Sequence, residues 1–132
     1  MGADATVVSL SEIVGWQQPL APQQLEQRLT RFLDRLGGTL QYKGIIPGHI
    51  KMVAACDGDP ERFLFLSMTT IDRVDRKPSA AWSAESASAL ASVRLDINVL
   101  VFGHEKSFVT ERVSMGIRQD VLQKEGAAPV NG

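Results

Sequence analysis

The sequence predicts a two-layer α+β sandwich, a four-stranded antiparallel sheet flanked by an N-terminal and a C-terminal helix. Three observations carry that expectation. Residues 25–36 hold apolar side chains at helical spacing, residues 40–56 and 93–101 alternate with a period of two, and residues 62–71 are apolar on both faces.

Ser9 stands three positions before Glu12, the spacing of a capping box, which predicts a short helix within residues 6–16 ended by Gly15 and Pro19. Pro22 then opens the main helix, because a first helical turn tolerates proline. Leu25, Leu29, Phe32, Leu33 and Leu36 fall on one face of it, and Gly37-Gly38 are expected to stop it. Leu40 and Tyr42, then Ile50, Met52, Ala54 and Cys56, read as two antiparallel strands. A two-residue turn at Pro47-Gly48 would set Tyr42 opposite Val53, off the apolar face. A three-residue loop, Pro47-Gly48-His49, pairs Tyr42 with Ala54 and brings Lys43 and Lys51 to one face as diagonal neighbours, and is the register the pattern favours.

The run 57–61 is a turn by composition, leading into a central strand over 62–71. Its register stays open, since loops of four and five residues after Cys56 bury opposite sets, Phe63 and Phe65 or Leu64, Leu66 and Met68. Charges at 72–77 precede a long loop over 78–91 that contains Trp82, with room for a helical turn. Val93, Leu95, Ile97, Val99 and Val101 mark the last strand, with Leu100 and Phe102 on its other face. A helix follows from His104 to about Lys124, with Val109, Val113, Ile117 and Val121 along one stripe. Residues 1–125 thus form a single domain, and 126–132 a flexible tail.

With 132 residues, 44% of them hydrophobic, the chain is of a size to bury one core without disulfides or a structural metal. Fourteen basic against fifteen acidic residues give a net charge of −1, too balanced to create a field that draws nucleic acid or an anionic membrane. The single Cys56 makes no intrachain disulfide and no cysteine-rich zinc site, which suits a reducing cytoplasm. The first residues carry Asp4, lack a basic stretch and lead into no long apolar run, so no signal peptide and no membrane span are expected.

Phosphate loops, GxGxxG, HExxH, CxxC and GxSxG are all missing from the sequence, and no cofactor is expected. His49 and His104 are the only histidines, expected at opposite ends of the sheet, so no metal site is assigned within one chain. A site with one histidine from each of two subunits is a third and weaker reading. Lys43 and Lys51, on one face of that strand pair, place like charges near each other. Two solvated lysines satisfy that arrangement, as does a salt bridge from Asp96 to Lys43. An anionic ligand over Lys43, His49, Lys51 and Arg94, with Asp96 beside them, satisfies it too. Cys56 reads as a small buried hydrophobe, and the acidic turn 57–61 lacks the spacing of a calcium loop. Trp16 and Trp82 read as covers of the core edge.

One face of the expected sheet is half apolar. Val53, Ala55, one set of the third strand, Leu100 and Phe102 lie there beside Lys43, Lys51, Arg94, Asp96 and Asn98. Large apolar patches are rare on monomers, so the face is expected to pair with a second copy or another protein, with Val53, Leu100 and Phe102 as interface candidates. The alternative is that residues 1–21 fold over it. The function expected is a small cytoplasmic accessory or binding protein, a homo-oligomer with a dimer favoured, partnered by neither nucleic acid nor membrane. Its rival is a small enzyme or ligand-binding domain for an anionic metabolite, with His49 as acid or base.

Overall fold

The computed structural model describes residues 5–56, 58–84 and 87–122. The α+β class holds, but the antiparallel sheet has five strands rather than four. They are β1 (Ala5–Leu20), β2 (Ile45–Cys56), β3 (Asp59–Thr70), β4 (Arg73–Pro78) and β5 (Leu90–Phe102), in the spatial order β1-β5-β2-β3-β4. The helices are α1 (Pro22–Leu40), a single turn α2 (Ala80–Ser83), and α3 (Lys106–Gly116), which runs into a π-helical turn at Ile117–Val121.

The largest correction is β1. Residues 6–16 form no helix, because Thr6, Val7, Val8, Ile13 and Val14 are β-branched and Val8 and Val14 alternate onto the buried face. The Ser9–Glu12 spacing is overridden by pairing with β5, in register from Ala5↔Phe102 to Gly15↔Ser92. The segment therefore joins the sheet as an edge strand instead of folding over its outer face.

α1 begins at Pro22, and the Ala21 amide donates to Gln24 Oε1 at 2.9 Å, closing one half of a capping box. The helix does not stop at Gly37-Gly38. It continues to Leu40, and Gly37 serves close packing instead, because a Cβ there would lie 2.7 Å from Met68 Sδ. Reversal comes later, in the turn Tyr42-Lys43-Gly44-Ile45, whose two central residues have φ of 53° and 80°. Positive φ at both positions is the twist that suits a two-residue hairpin turn.

That turn removes the expected hairpin at Pro47-Gly48-His49. β2 runs straight through these residues, pairing Gly48↔Val101 and His49↔Leu100, while its pairing to β3 shifts between Ile45 and Ile50. Glycine is required here for contact rather than for a turn: a Cβ on Gly48 would come 1.8 Å from the Leu100 carbonyl oxygen, and its φ is +144°. Consequently Lys43 and Lys51 are not brought together across a strand pair. Tyr42 bridges Ile45, and Lys51 pairs with Ser67 and Asn98.

β3 settles the open register, with Leu64, Leu66 and Met68 fully buried and Phe63 and Phe65 on the outer face. It lies inside the sheet, although β2 holds the middle position. The charged run 73–77 is the edge strand β4, not a turn into a loop. Beyond it, Ser79 caps α2: its Oγ accepts from the Trp82 amide at 3.2 Å and from the Phe63 amide at 3.0 Å. Trp82 is fully buried, and its indole Nε1–H donates to Glu26 Oε2 at 3.2 Å. Buried Arg62 reaches the Ser88 hydroxyl and carbonyl, tying the following loop to β3.

Val109, Val113, Ile117 and Val121 are buried as the stripe predicts, though α3 starts two residues after His104. Gly116 lets α3 approach α1, since a Cβ there would meet the Phe32 ring at 2.6 Å. The carbonyl of Val121 accepts from Trp16 Nε1 at 3.1 Å and Arg28 Nη1 at 2.9 Å, so β1, α1 and the π turn share one anchor. Buried aliphatic and aromatic side chains fill the space between the helices and one sheet face, each contributing roughly 1.5–3 kcal/mol of transfer free energy. The tail 126–132, Asp57 of the acidic turn and the expected helix end at Lys124 lie outside the described residues.

Candidate docking face

The helices cover one side of the sheet, and strand alternation then fixes what the other side carries. The pairing registers align the outward residues in rows. One row reads Ser9, Asn98, Lys51, Ser67, Asp75 from β1 to β4. The next reads Ser11, Asp96, Val53, Phe65, Lys77, and the one after it Ile13, Arg94, Ala55, Phe63. Phe63 is 39% exposed, while Val53, Ala55 and Phe65 are partly covered by one another and by their neighbours.

The β1–β5 side of this face is a polar lattice. Ser9 Oγ donates to Asn98 Oδ1 at 2.7 Å, and Ser11 Oγ to Asp96 Oδ1 at 2.6 Å. Arg94 Nε holds the other Asp96 oxygen at 3.2 Å. The β2–β3 side is apolar, four side chains from two adjacent strands in two adjacent rows. β4 adds Lys77, which has no ion pair among the described residues, and Asp75, bound to Arg73 Nε at 3.4 Å.

The five expected ligand-binding residues do not converge. Lys43 sits in the turn before β2, its ammonium 5.3 Å from the centre of the Tyr42 ring. His49 and Lys51 are neighbours on the outer face, but Arg94 lies opposite Ala55, six residues along the strand from His49, roughly 20 Å away. Arg94 is moreover paired with Asp96, and Asp96 reaches Ser11 rather than Lys43. An anionic ligand over all of them has no common site to occupy.

Of the interface candidates, Val53 lies in the apolar quarter beside Phe65. Leu100 lies opposite Val7 and His49, and Phe102, 39% exposed, opposite Ala5. Val7, Ile13 and Lys77 join the face only because residues 5–20 and 73–78 are strands. The alternation of Val8, Leu10 and Val14 was the signal for the first, and the absence of any glycine or proline between Arg73 and Lys77 for the second.

The two histidines do not stand at opposite ends of the sheet. His49 is opposite Leu100, and His104 follows β5 by two residues, at the same end. They belong to different layers: His104 Nε2 is 3.0 Å from the carbonyl of Leu40 at the end of α1, and its ring stacks on Phe108. Among the described residues no group of three or more His, Cys, Asp or Glu could hold a metal. Cys56 is a free, half-buried thiol at the C-terminal end of β2, and its pKa is raised by burial, against the lowering influence of Arg62 and with a further rise from Asp59.

A groove of about 640 Å³ between α1 and β4 is lined by Gln23, Glu26, Thr30, Asp34 and Arg76 among others. Glu26 there is committed to Arg76 and the Trp82 indole. No helix among the described residues is long and apolar enough to cross a membrane.

No family model matches the chain, and no curated protein does. Among solved structures, a zinc-bound triple mutant of the YjiA GTPase is similar at 12% sequence identity and a TM-score of 0.34, over 88% of this chain and 30% of that protein. The chain thus spans under a third of that protein's length.

Proposed function

We propose that this chain is an oligomeric accessory or binding module that works through its outer sheet face rather than through a catalytic centre. The observation that carries the reading is the apolar quarter formed by Val53, Ala55, Phe63 and Phe65 on an interior strand pair, over which no helix among the described residues packs. Interior strands of a sheet are normally covered on both sides when both sides are apolar, and here the helices all pack on the other side. A reducing cytoplasm suits the free thiol of Cys56.

The test is the solution mass by light scattering across protein concentrations, for the natural chain and for Phe65→Asp. Circular dichroism checks that the variant keeps its fold. A mass above that of one chain, lost in the variant, is the expected result. A natural chain that stays monomeric at millimolar concentration overturns the reading.

A further inference from the structure

Resting on that reading, we infer that the occupant of the outer face is a second copy of this chain, related by a two-fold axis that runs parallel to the strands between β2 and β3. The argument is the order of charges along the rows. In the row Ser11, Asp96, Val53, Phe65, Lys77, the two apolar residues are bracketed by one negative and one positive side chain. A two-fold axis along the strands reverses the strand order of the facing copy. With the axis between β2 and β3, Val53 meets the other copy's Phe65, and Asp96 meets its Lys77. By symmetry each contact is made twice.

The neighbouring rows agree. Lys51 meets Ser67 of the second copy, Asn98 meets Asp75, and Ala55 meets Phe63. Other positions of such an axis fail. Moving it onto β2 sets Lys51 against its own copy and Phe65 against Asp96. Moving it onto β3 sets Val53 against Lys77, and moving it between β5 and β2 sets Val53 against Asp96. An axis across the strands through the Val53–Phe65 row opposes Lys77 to Lys77 and Asp96 to Asp96, and like charges facing each other are repulsive. An axis across the strands midway to the Arg94–Ala55 row avoids this, yet it only exchanges the existing Arg94–Asp96 pair between copies and gives Lys77 no counter-ion, and one midway to the Lys51–Ser67 row sets Val53 against Lys51. The chosen axis gives Lys77 an acidic partner while it keeps the apolar residues together.

With the axis between β2 and β3, β1 of each copy faces no strand, so the contact spans four strands and four rows, roughly 20 Å by 19 Å, about 400 Å² on each copy and about 800 Å² in total. That is the size of a weak, transient contact, so the dimer is expected to dissociate at about 100 μM or above. Sheets pack face to face about 10 Å apart, a gap that a lysine and an aspartate bridge together.

The experiment is a charge exchange read by sedimentation equilibrium. Lys77 is exposed and has no ion pair among the described residues, so Lys77→Glu leaves the fold intact and is expected to weaken the dimer about tenfold. Adding Asp96→Lys is expected to restore it to within about threefold of the natural chain. If Asp96→Lys does not fold, the neutral pair Lys77→Gln and Asp96→Asn reads the same coupling as a non-additive double-mutant cycle. A dimer that Phe65→Asp dissociates but Lys77→Glu leaves unchanged, or that the double exchange fails to restore, overturns this arrangement and leaves the outer-face reading standing. A natural chain that never dimerises removes both.

Discussion

Gly37 lies so close to Met68 that a methyl group between them requires the methionine to shift: a Cβ on Gly37 would sit 2.7 Å from both Sδ and Cε of Met68 and 3.2 Å from Ile46 Cδ1. Its neighbour Gly38 has nothing within 4 Å of the same position. Both are in α1, so the two alanine substitutions differ in contact and not in secondary structure. Gly38→Ala is expected to stabilise by about 0.5–1 kcal/mol through the restricted unfolded chain. Gly37→Ala gains the same amount and loses about 1–3 kcal/mol to overpacking, ending destabilised. Urea titration of both variants decides this, and two shifts of the same sign would show that Met68 moves aside freely.

Gly48→Ala is expected to be the most damaging small substitution in the chain. Its Cβ meets backbone, the Leu100 carbonyl, at 1.8 Å, so the β2–β5 ladder itself must part. The expected loss is about 3 kcal/mol or more. Gly58→Ala is the control, with a φ of +81° but open space around it, and about 1 kcal/mol of strain. Comparable unfolding midpoints for the two would refute the close approach.

Glu26 accepts from Arg76 at 2.6 Å and from the buried Trp82 indole at 3.2 Å, two roles of unequal weight. Glu26→Ala strands an indole N–H in the core, at about 1–3 kcal/mol. Arg76→Ala removes an ion pair whose arginine is 60% exposed while its carboxylate keeps the indole donor, and costs about 1 kcal/mol. Glu26→Gln keeps one acceptor oxygen and falls between them. Thermal melts followed by tryptophan fluorescence give the order, and an Arg76 variant as unstable as Glu26→Ala would reverse the assignment.

Cys56 should alkylate slowly. Burial raises its pKa, so at pH 8 it holds less thiolate than an exposed cysteine, and its rate with iodoacetamide should keep climbing above pH 9. Asp59→Asn removes a negative charge that raises the pKa, and should speed the reaction at fixed pH. The folded state binds this proton more tightly than the unfolded chain does. Its contribution to stability is therefore complete at neutral pH and fades as pH rises through the folded-state pKa. A rate equal to that of a free thiol at pH 8 would contradict the burial.

How much of this could be read from residues alone follows from where local and distant forces agree. The α1 face, the alternation of β5 and the valine stripe of α3 were legible because each buries a long periodic stripe against a single layer. β1 was not, since Ser9 and Glu12 offer a local helix signal and the partner that overrules it, β5, is distant in sequence. The Pro47-Gly48 pair misled for a related reason: its glycine answers to the Leu100 carbonyl, a contact no local pattern announces. The open outer face was legible from the two-faced third strand, and its polar and apolar halves followed. The gathering of Lys43, His49, Lys51 and Arg94 depended on one hairpin register, and it fell with that register.

The pairing of β1 with β5 also sets an order of events. Ser11 and Asp96 are 85 residues apart in the chain, so the first strand made is among the last to find its place. Contacts of such separation cost loop-closure entropy before they return any free energy, which slows folding. On the ribosome, α1 and the β2–β3–β4 meander can form while β1 waits, its valines without a neighbour. A chain released before β5 has emerged would hold a ready strand with nothing to pair with, and chaperone demand should peak in that interval.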